Sequence, residues 1–267
     1  MAKPRIIVLV GYGINCEEET KFAFDWAGGS SKIVHINDLI AEPKILNDFQ
    51  ILAIPGGFAY GDDTGAGNAF AHKLKNHLWQ AILEFIKKDK LIIGICNGFQ
   101  ILVNLGFLPA LNKNYGQREL GLMPNEIPRY TVRFVDLLNV NNTSPWVKDI
   151  KKISIPVSNG EGKLYASSSV LNEIKKKKLV AFRYFAGEMC SYLNLPASPN
   201  GSIDDIASLT DETGRILGLM PHPERAMFFV QLPDWPVLKE EYLRRGRVLP
   251  KKGPGLKIFE NGVNYFK

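Results

Sequence analysis

Through the first hundred residues of this 267-residue chain, short apolar runs of strand length alternate with longer amphipathic stretches. Arg5 to Val10, Phe49 to Ile54 and Leu91 to Ile95 are nearly continuous apolar runs, as strands covered on both faces must be, and Ser31 to Ile36 is a weaker one. Between them, Glu17 to Trp26 opens on an acidic turn and ends at Gly28-Gly29, which reads as a helix. Ala66 to Lys88 spaces Phe70, Leu74, Leu78, Ile82, Phe85 and Ile86 near the helical repeat, and Phe99 to Leu105 follows the fourth strand as a further helix. Strand-helix-strand order of this kind demands parallel pairing with crossover connections. It therefore predicts an α/β fold: an open, mostly parallel sheet with helices on both faces and functional loops at the carboxyl ends of the strands.

Beyond Gly106 the pattern changes to shorter β-rich pieces, Tyr130 to Val135, Ile153 to Val157, Val180 to Phe185 and Ile203 to Leu209, which read as an antiparallel extension of that sheet. Asp211-Glu212-Thr213-Gly214 is a hairpin turn leading into Arg215 to Met220, and Gly255 to Phe266 closes the chain as a short helix. No linker-like segment interrupts 1–267, which is read as a single domain. The segment from Gln231 to Lys252 carries Pro233, Pro236 and Pro250 around a short charged helix and reads as a surface excursion.

Composition removes several function classes. No apolar run approaches the roughly 20 residues needed to cross a bilayer, and the first run enters Gly11-Tyr12-Gly13 without the features of a signal peptide. A net charge of +6 is too small and too scattered for a nucleic-acid surface, and the runs Lys175 to Lys178 and Arg244 to Arg247 lack interleaved aromatics. Both are read as solvated faces. Cys16, Cys96 and Cys190 have neither metal-ligand spacing nor an even count, which points to free thiols in a reducing, cytoplasmic compartment. The sequons at Asn141, Asn142 and Asn200 are then chance matches.

The chemistry concentrates in three places. Leu91 to Gln100 is an apolar strand running into Gly94-Ile95-Cys96-Asn97-Gly98 and then a helix, a nucleophile elbow with sulfur in place of the usual oxygen. Gly94 and Gly98 allow the tight turn, and the helix N-terminus beyond it favours the reactive thiolate. Pro221-His222-Pro223-Glu224 follows another apolar strand; Pro223 keeps His222 extended, so His222 and Glu224 can share a face as an acid-base group and its orienting carboxylate. Pro55-Gly56-Gly57-Phe58 follows a third strand, where backbone N–H groups together with that of Asn97 could receive an oxyanion. His35, His72 and His77 have no such context and are read as structural or exposed.

In this order and spacing, Pro55-Gly56-Gly57, Gly94-x-Cys96-x-Gly98-x-Gln100 and His222-x-Glu224 resemble the triad-type, class I glutamine amidotransferases, whose fold is flavodoxin-like. Gly13-Ile14-Asn15-Cys16, Phe58-Ala59-Tyr60-Gly61-Asp62, Pro199-Asn200-Gly201-Ser202 and Met220 to Arg225 narrow the resemblance to the glutaminase subunits of phosphoribosylformylglycinamidine synthases, over nearly the whole chain. The resemblance implies that Cys96 attacks the glutamine side-chain amide, that His222 protonates the ammonia and later activates water, and that Glu224 orients His222. It also implies that Gly57 and Asn97 form the oxyanion hole, with Gly56 and Phe58 beside it, and that Gln100 contacts bound glutamine. Ammonia would pass to a synthetase subunit that uses ATP and Mg²⁺ to amidate formylglycinamide ribonucleotide, in many organisms with a small third subunit. No cofactor or metal is expected on this chain, which has no Walker-type loop. Two positions depart from that pattern: Asn159 stands where a histidine is usual, and Gly65 where an arginine is. The glutaminase of a different synthetase, a cysteine hydrolase on the same elbow and a degenerate scaffold subunit remain alternatives.

Overall fold

The computed structural model describes residues 3–140 and 142–267, apart from the side chains of residues 192 and 193. Asn141 lies outside the described residues. Among the described residues, eleven strands and eight α-helices follow one another as β1 (Arg5–Val10), α1 (Glu17–Trp26), β2 (Ser30–His35), α2 (Ile36–Ala41), β3 (Ile51–Ile54), α3 (Asn68–Lys87), β4 (Leu91–Ile95), α4 (Asn97–Asn104), β5 (Leu120–Pro124), β6 (Thr131–Asn139), β7 (Lys152–Asn159), β8 (Glu161–Ala166), α5 (Ser168–Lys176), β9 (Val180–Phe185), α6 (Glu188–Leu193), β10 (Ile206–Thr210), β11 (Ile216–Leu219), α7 (Trp235–Arg244) and α8 (Leu256–Asn264).

Nine strands form one sheet in the order β2-β1-β3-β4-β11-β10-β9-β6-β7, and β5 pairs with β8 separately. The first five are parallel and the last four antiparallel, as the change of pattern near Gly106 predicts. From β1 the chain steps outward to β2, whereas from β3 it steps the other way to β4. Right-handed crossovers then put α1 and α3 on opposite faces. Every residue of β3, β4 and β11 is buried, which is why they read as continuous apolar runs.

Packing of the helices follows from their apolar stripes. The α3 stripe, Phe70 to Ile86, is buried as its spacing requires. Phe24 of α1 meets Phe259 of α8 edge to face at 4.9 Å, so the last helix closes over the first. Gly218 lies under the Phe99 ring, where a side chain would not fit, and this lets α4 sit directly on β11.

Most expected bounds shift by a residue or two, but β6 runs on to Asn139, four residues past Val135, and β10 begins three residues after Ile203 because a short 3-10 turn occupies Ile203–Asp205. The helix α4 begins at Asn97 rather than Phe99 because the turn at Cys96 is tight enough to start the helix at once. The Lys175 to Lys178 run closes α5, where Lys175 pairs with Asp204 and Lys177 with Glu212, and its charges favour the helix C-terminus. No helix among the described residues is long and apolar enough to cross a membrane. Asn200 is 1% exposed, with its amide spent on Gly162 and Ser202, and so offers no glycosylation site.

Candidate active site

Three neighbouring parallel strands deliver the three motifs to one edge of the sheet. Ile54 of β3 is in register with Gly94 of β4, and Ile95 of β4 with Leu219 of β11, so Pro55, Cys96 and Met220 emerge close together. The β1 loop, residues 11–16, joins them, because β1 and β3 flank the point where the strand order reverses. Loops part at such a switch point and leave room for a ligand.

Cys96 adopts φ 51°, ψ −106°, a conformation that side-chain-bearing residues rarely tolerate, and its N–H donates to the Leu219 carbonyl at 2.7 Å. A Cβ at Gly94 would lie 2.5 Å from the Gly98 carbonyl, and one at Gly98 would overlap the Ile54 carbonyl. The two glycines therefore make the elbow possible. The strained turn leaves the Cys96 thiol 3.7 Å from the Ser158 carbonyl of β7.

His222 is held by its N–H to the Pro156 carbonyl at 2.7 Å, and its Nδ1 lies 2.5 Å from Glu224 Oε1. Both side chains are buried, at 2% and 0% exposure, so their pairing is almost unscreened. Burial alone would lower the pKa of His222; the Glu224 carboxylate, then Cys96 and Cys16, outweigh it and hold the imidazole well above the ordinary histidine value. Among the described residues His222 Nε2 has no hydrogen-bond partner, which leaves one ring nitrogen free for a proton transfer while Glu224 occupies the other.

The Pro55 to Phe58 loop lies against the β1 loop. Phe58 N–H donates to the Gly13 carbonyl at 2.8 Å, and the Gly56 carbonyl accepts from Asn15 and Cys16. Gly57 has φ 154°, and a Cβ there would stand 2.5 Å from the Gly13 carbonyl. With its N–H engaged, Phe58 cannot donate to an oxyanion, and its half-exposed ring instead tilts against Tyr130 at 5.9 Å. The N–H groups of Gly57, Asn97 and Gly98 donate to no acceptor among the described residues. These are the donors available beside Cys96.

The side chains of Asn97 and Gln100 serve the protein itself. Asn97 Oδ1 accepts from Ala59 N–H at 3.0 Å, and its Nδ2 donates to Asp62 at 3.1 Å and to Gln100 Oε1 at 2.9 Å. Gln100 Nε2 donates in turn to the Glu161 carbonyl at 2.7 Å. Gln100 thus ties α4 to β8, and among the described residues each of its amide atoms makes one hydrogen bond, leaving one Nε2 hydrogen and one Oε1 lone pair uncommitted. Burial, opposed in part by the Gly67 and Asn97 hydrogen bonds, raises the pKa of Asp62. Asn159 is 3% exposed with both amide atoms unpartnered among the described residues, and Gly65 has open space around it. His35 caps α2 by accepting from Asn37 N–H, a structural role.

Two residues quoted in the sequence strings without a role prove to border the site. Cys16, 1% exposed, places its sulfur within 4.8 Å of ligating atoms of both His222 and Glu224, and Arg225 Nη2 donates to that sulfur at 3.2 Å. The trio Cys16, His222 and Glu224 has the donor types for a thiophilic metal, but Glu224 is committed to His222 and Cys16 to a guanidinium. Nothing in local spacing pointed to Cys16, which is 80 residues before Cys96 and comes to the site only through the strand order.

Comparison with known proteins agrees with this architecture. Residues 3–266 match the family model of the CobB/CobQ-like glutamine amidotransferase domain. A Methanococcus maripaludis protein named phosphoribosylformylglycinamidine synthase subunit PurQ is 44% identical over 265 residues, covering 98% of this chain and 97% of its own. The protein of that name from Dehalococcoides mccartyi is 42% identical over 268 residues, covering 99% and 98%. A chain in the structure of PurLQS from Thermotoga maritima superposes with a TM-score of 0.72 at 28% identity over all of both chains. A glutamine amidotransferase from Thermotoga maritima shares the fold alone, with a TM-score of 0.53 at 13% identity over 100% of this chain and 98% of that one. With a family model spanning nearly its whole length and relatives this similar over theirs, the chain belongs to the CobB/CobQ-like glutamine amidotransferase family, among the relatives named phosphoribosylformylglycinamidine synthase subunit PurQ.

Proposed function

We infer that this chain is the glutaminase subunit of a phosphoribosylformylglycinamidine synthase in purine biosynthesis, and that residues 1–267 act as one glutaminase domain. The observation that carries the chemistry is the buried pairing of His222 with Glu224 beside a thiol held at positive φ. In the proposed reaction, His222 takes the Cys96 proton and the sulfur attacks the side-chain amide carbon of glutamine. The carbonyl electron pair moves onto oxygen, facing the N–H groups of Gly57 and Asn97, where one such donor typically contributes several kcal/mol to the transition state. Collapse of this intermediate breaks the C–N bond; His222 gives its proton to the departing nitrogen, and ammonia leaves behind a glutamyl thioester. Water, deprotonated by His222, then attacks the thioester carbon, the C–S bond breaks, His222 returns the proton to the departing sulfur, and glutamate leaves the regenerated Cys96 thiol. Glu224 keeps its carboxylate on Nδ1 throughout, which fixes the tautomer with Nε2 toward the reacting atoms.

Ammonia then passes to a synthetase subunit, which holds ATP and Mg²⁺ and converts formylglycinamide ribonucleotide to formylglycinamidine ribonucleotide; a small third subunit completes the complex. Support for this assignment comes from the subunit name shared by the full-length relatives and from the PurLQS neighbour. The test mixes wild type or Cys96→Ala with the synthetase subunit, ATP and formylglycinamide ribonucleotide, and follows glutamate release from glutamine. Release that requires both Cys96 and the synthetase is expected. Equal, negligible release from both proteins, with the synthetase still active on free ammonia, would leave a scaffold subunit instead.

A further inference from the structure

The proposed mechanism uses three ionisable groups, and the geometry brings a fourth charge to them. Arg225 follows Glu224 directly and is half-buried, and Cys16 Sγ is its one side-chain hydrogen-bond partner among the described residues, at 3.2 Å. Cys16 Sγ also donates to Asn15 Oδ1 at 3.4 Å, so the sulfur is seated as a thiol that gives one hydrogen bond and receives another from the guanidinium. That sulfur in turn lies against the His222–Glu224 pair.

We propose that Arg225, seated on Cys16, is a positioning residue that balances the charge of the site and so sustains Cys96 as a thiolate beside the His222 imidazolium. The count supports this. Glu224 and a Cys96 thiolate carry two negative charges; the His222 imidazolium alone supplies one positive, and Arg225 supplies the other. Without Arg225 a nearly dry site would hold a net negative charge, and its least costly relief is to keep the Cys96 proton. Charges facing this group from the surrounding elements are few. The start of α4 contributes Cys96, the start of α1 contributes Cys16 with Glu17 next in the chain, and the turn after β11 contributes His222, Glu224 and Arg225. From β9 comes Tyr184, whose phenol burial keeps neutral, with Arg133 of β6 nearby.

This inference rests on the glutaminase reading, yet its test does not need turnover. The rate at which iodoacetamide alkylates Cys96, located by peptide mass spectrometry, is followed against pH in the folded wild type and in Arg225→Gln, Arg225→Lys, Cys16→Ala and Cys16→Ser. In Arg225→Gln, alkylation at pH 7 is expected to slow roughly five- to tenfold, with the whole curve displaced to higher pH, because only the thiolate reacts. Arg225→Lys, which keeps the charge, should stay near the wild-type curve. Cys16→Ala, which removes the seat, should be displaced and Cys16→Ser, which restores an acceptor, should return. A Cys96 curve unmoved in Arg225→Gln overturns the proposal. If that variant does not fold, a Cys16→Ala curve identical to that of Cys16→Ser overturns it equally. Absence of glutamate release from the wild-type complex would remove the glutaminase reading while leaving these curves readable.

Discussion

Glu224 reaches His222 Nδ1 with both side chains out of water, so its replacement exposes the chemistry of one contact. Glu224→Gln keeps the shape and loses the charge. Steady-state assays of the assembled complex should show kcat for glutamate release lower by about 10²- to 10⁴-fold, with a smaller effect on KM, since orienting and charging the base matters chiefly in the transition state. The same contact has a pH signature. His222 is raised in the folded protein relative to about 6.5 when unfolded, so the stability it contributes is complete below that value and is lost as pH rises through the folded value. The melting-temperature advantage of wild type over Glu224→Gln should therefore be larger at pH 6 than at pH 9. An advantage constant with pH would mean that the ring is neutral in the folded state.

At the scale of elements, the site depends on how closely α4 approaches β3 and β11. Gly98 is the point of closest approach, where an added methyl would overlap the Ile54 carbonyl, part of a backbone that cannot yield. Gly98→Ala should push the helix N-terminus away from β3, lower stability by about 1–3 kcal/mol as overpacked sites do, and displace the Asn97 N–H from Cys96. Denaturant titration and alkylation of Cys96 would both register the change; a variant of wild-type stability would mean that α4 can slide at no cost. This closeness also explains the boundary shift at the start of α4. A periodicity argument begins the helix at its first large apolar residue, Phe99, whereas the turn at Cys96 commits the backbone two residues earlier.

The whole molecule carries one segment that its core does not need. None of the residues of α7 is buried, and the bridge between Phe228 and Lys252 brings the two ends of the excursion side by side. Replacing residues 233–248 with a short Gly-Ser turn should therefore leave the fold intact and shift the melting temperature by less than about 5 °C. A loss of cooperative unfolding would show that the excursion braces the sheet. Its proline punctuation around a short charged helix made it legible in the sequence, as did the parallel half of the sheet, whose doubly buried strands have to be continuous apolar runs. The elbow, the His-Pro-Glu pair and the glycine loop were legible for a related reason: each is a local backbone requirement written in adjacent residues. Three things depended on tertiary structure. Gln100 and Asn97 spend their amides on β8 and on Asp62, partners 61 and 35 residues away. Phe58 gives its N–H to Gly13, 45 residues before it in the chain. Arg225 lies on Cys16, 209 residues distant. The sequence by itself determined the elements and the reactive groups, because local geometry and burial constrain neighbouring residues. Which of those groups touch was decided by the strand order β1-β3-β4-β11, which sets distant loops side by side at one edge of the sheet.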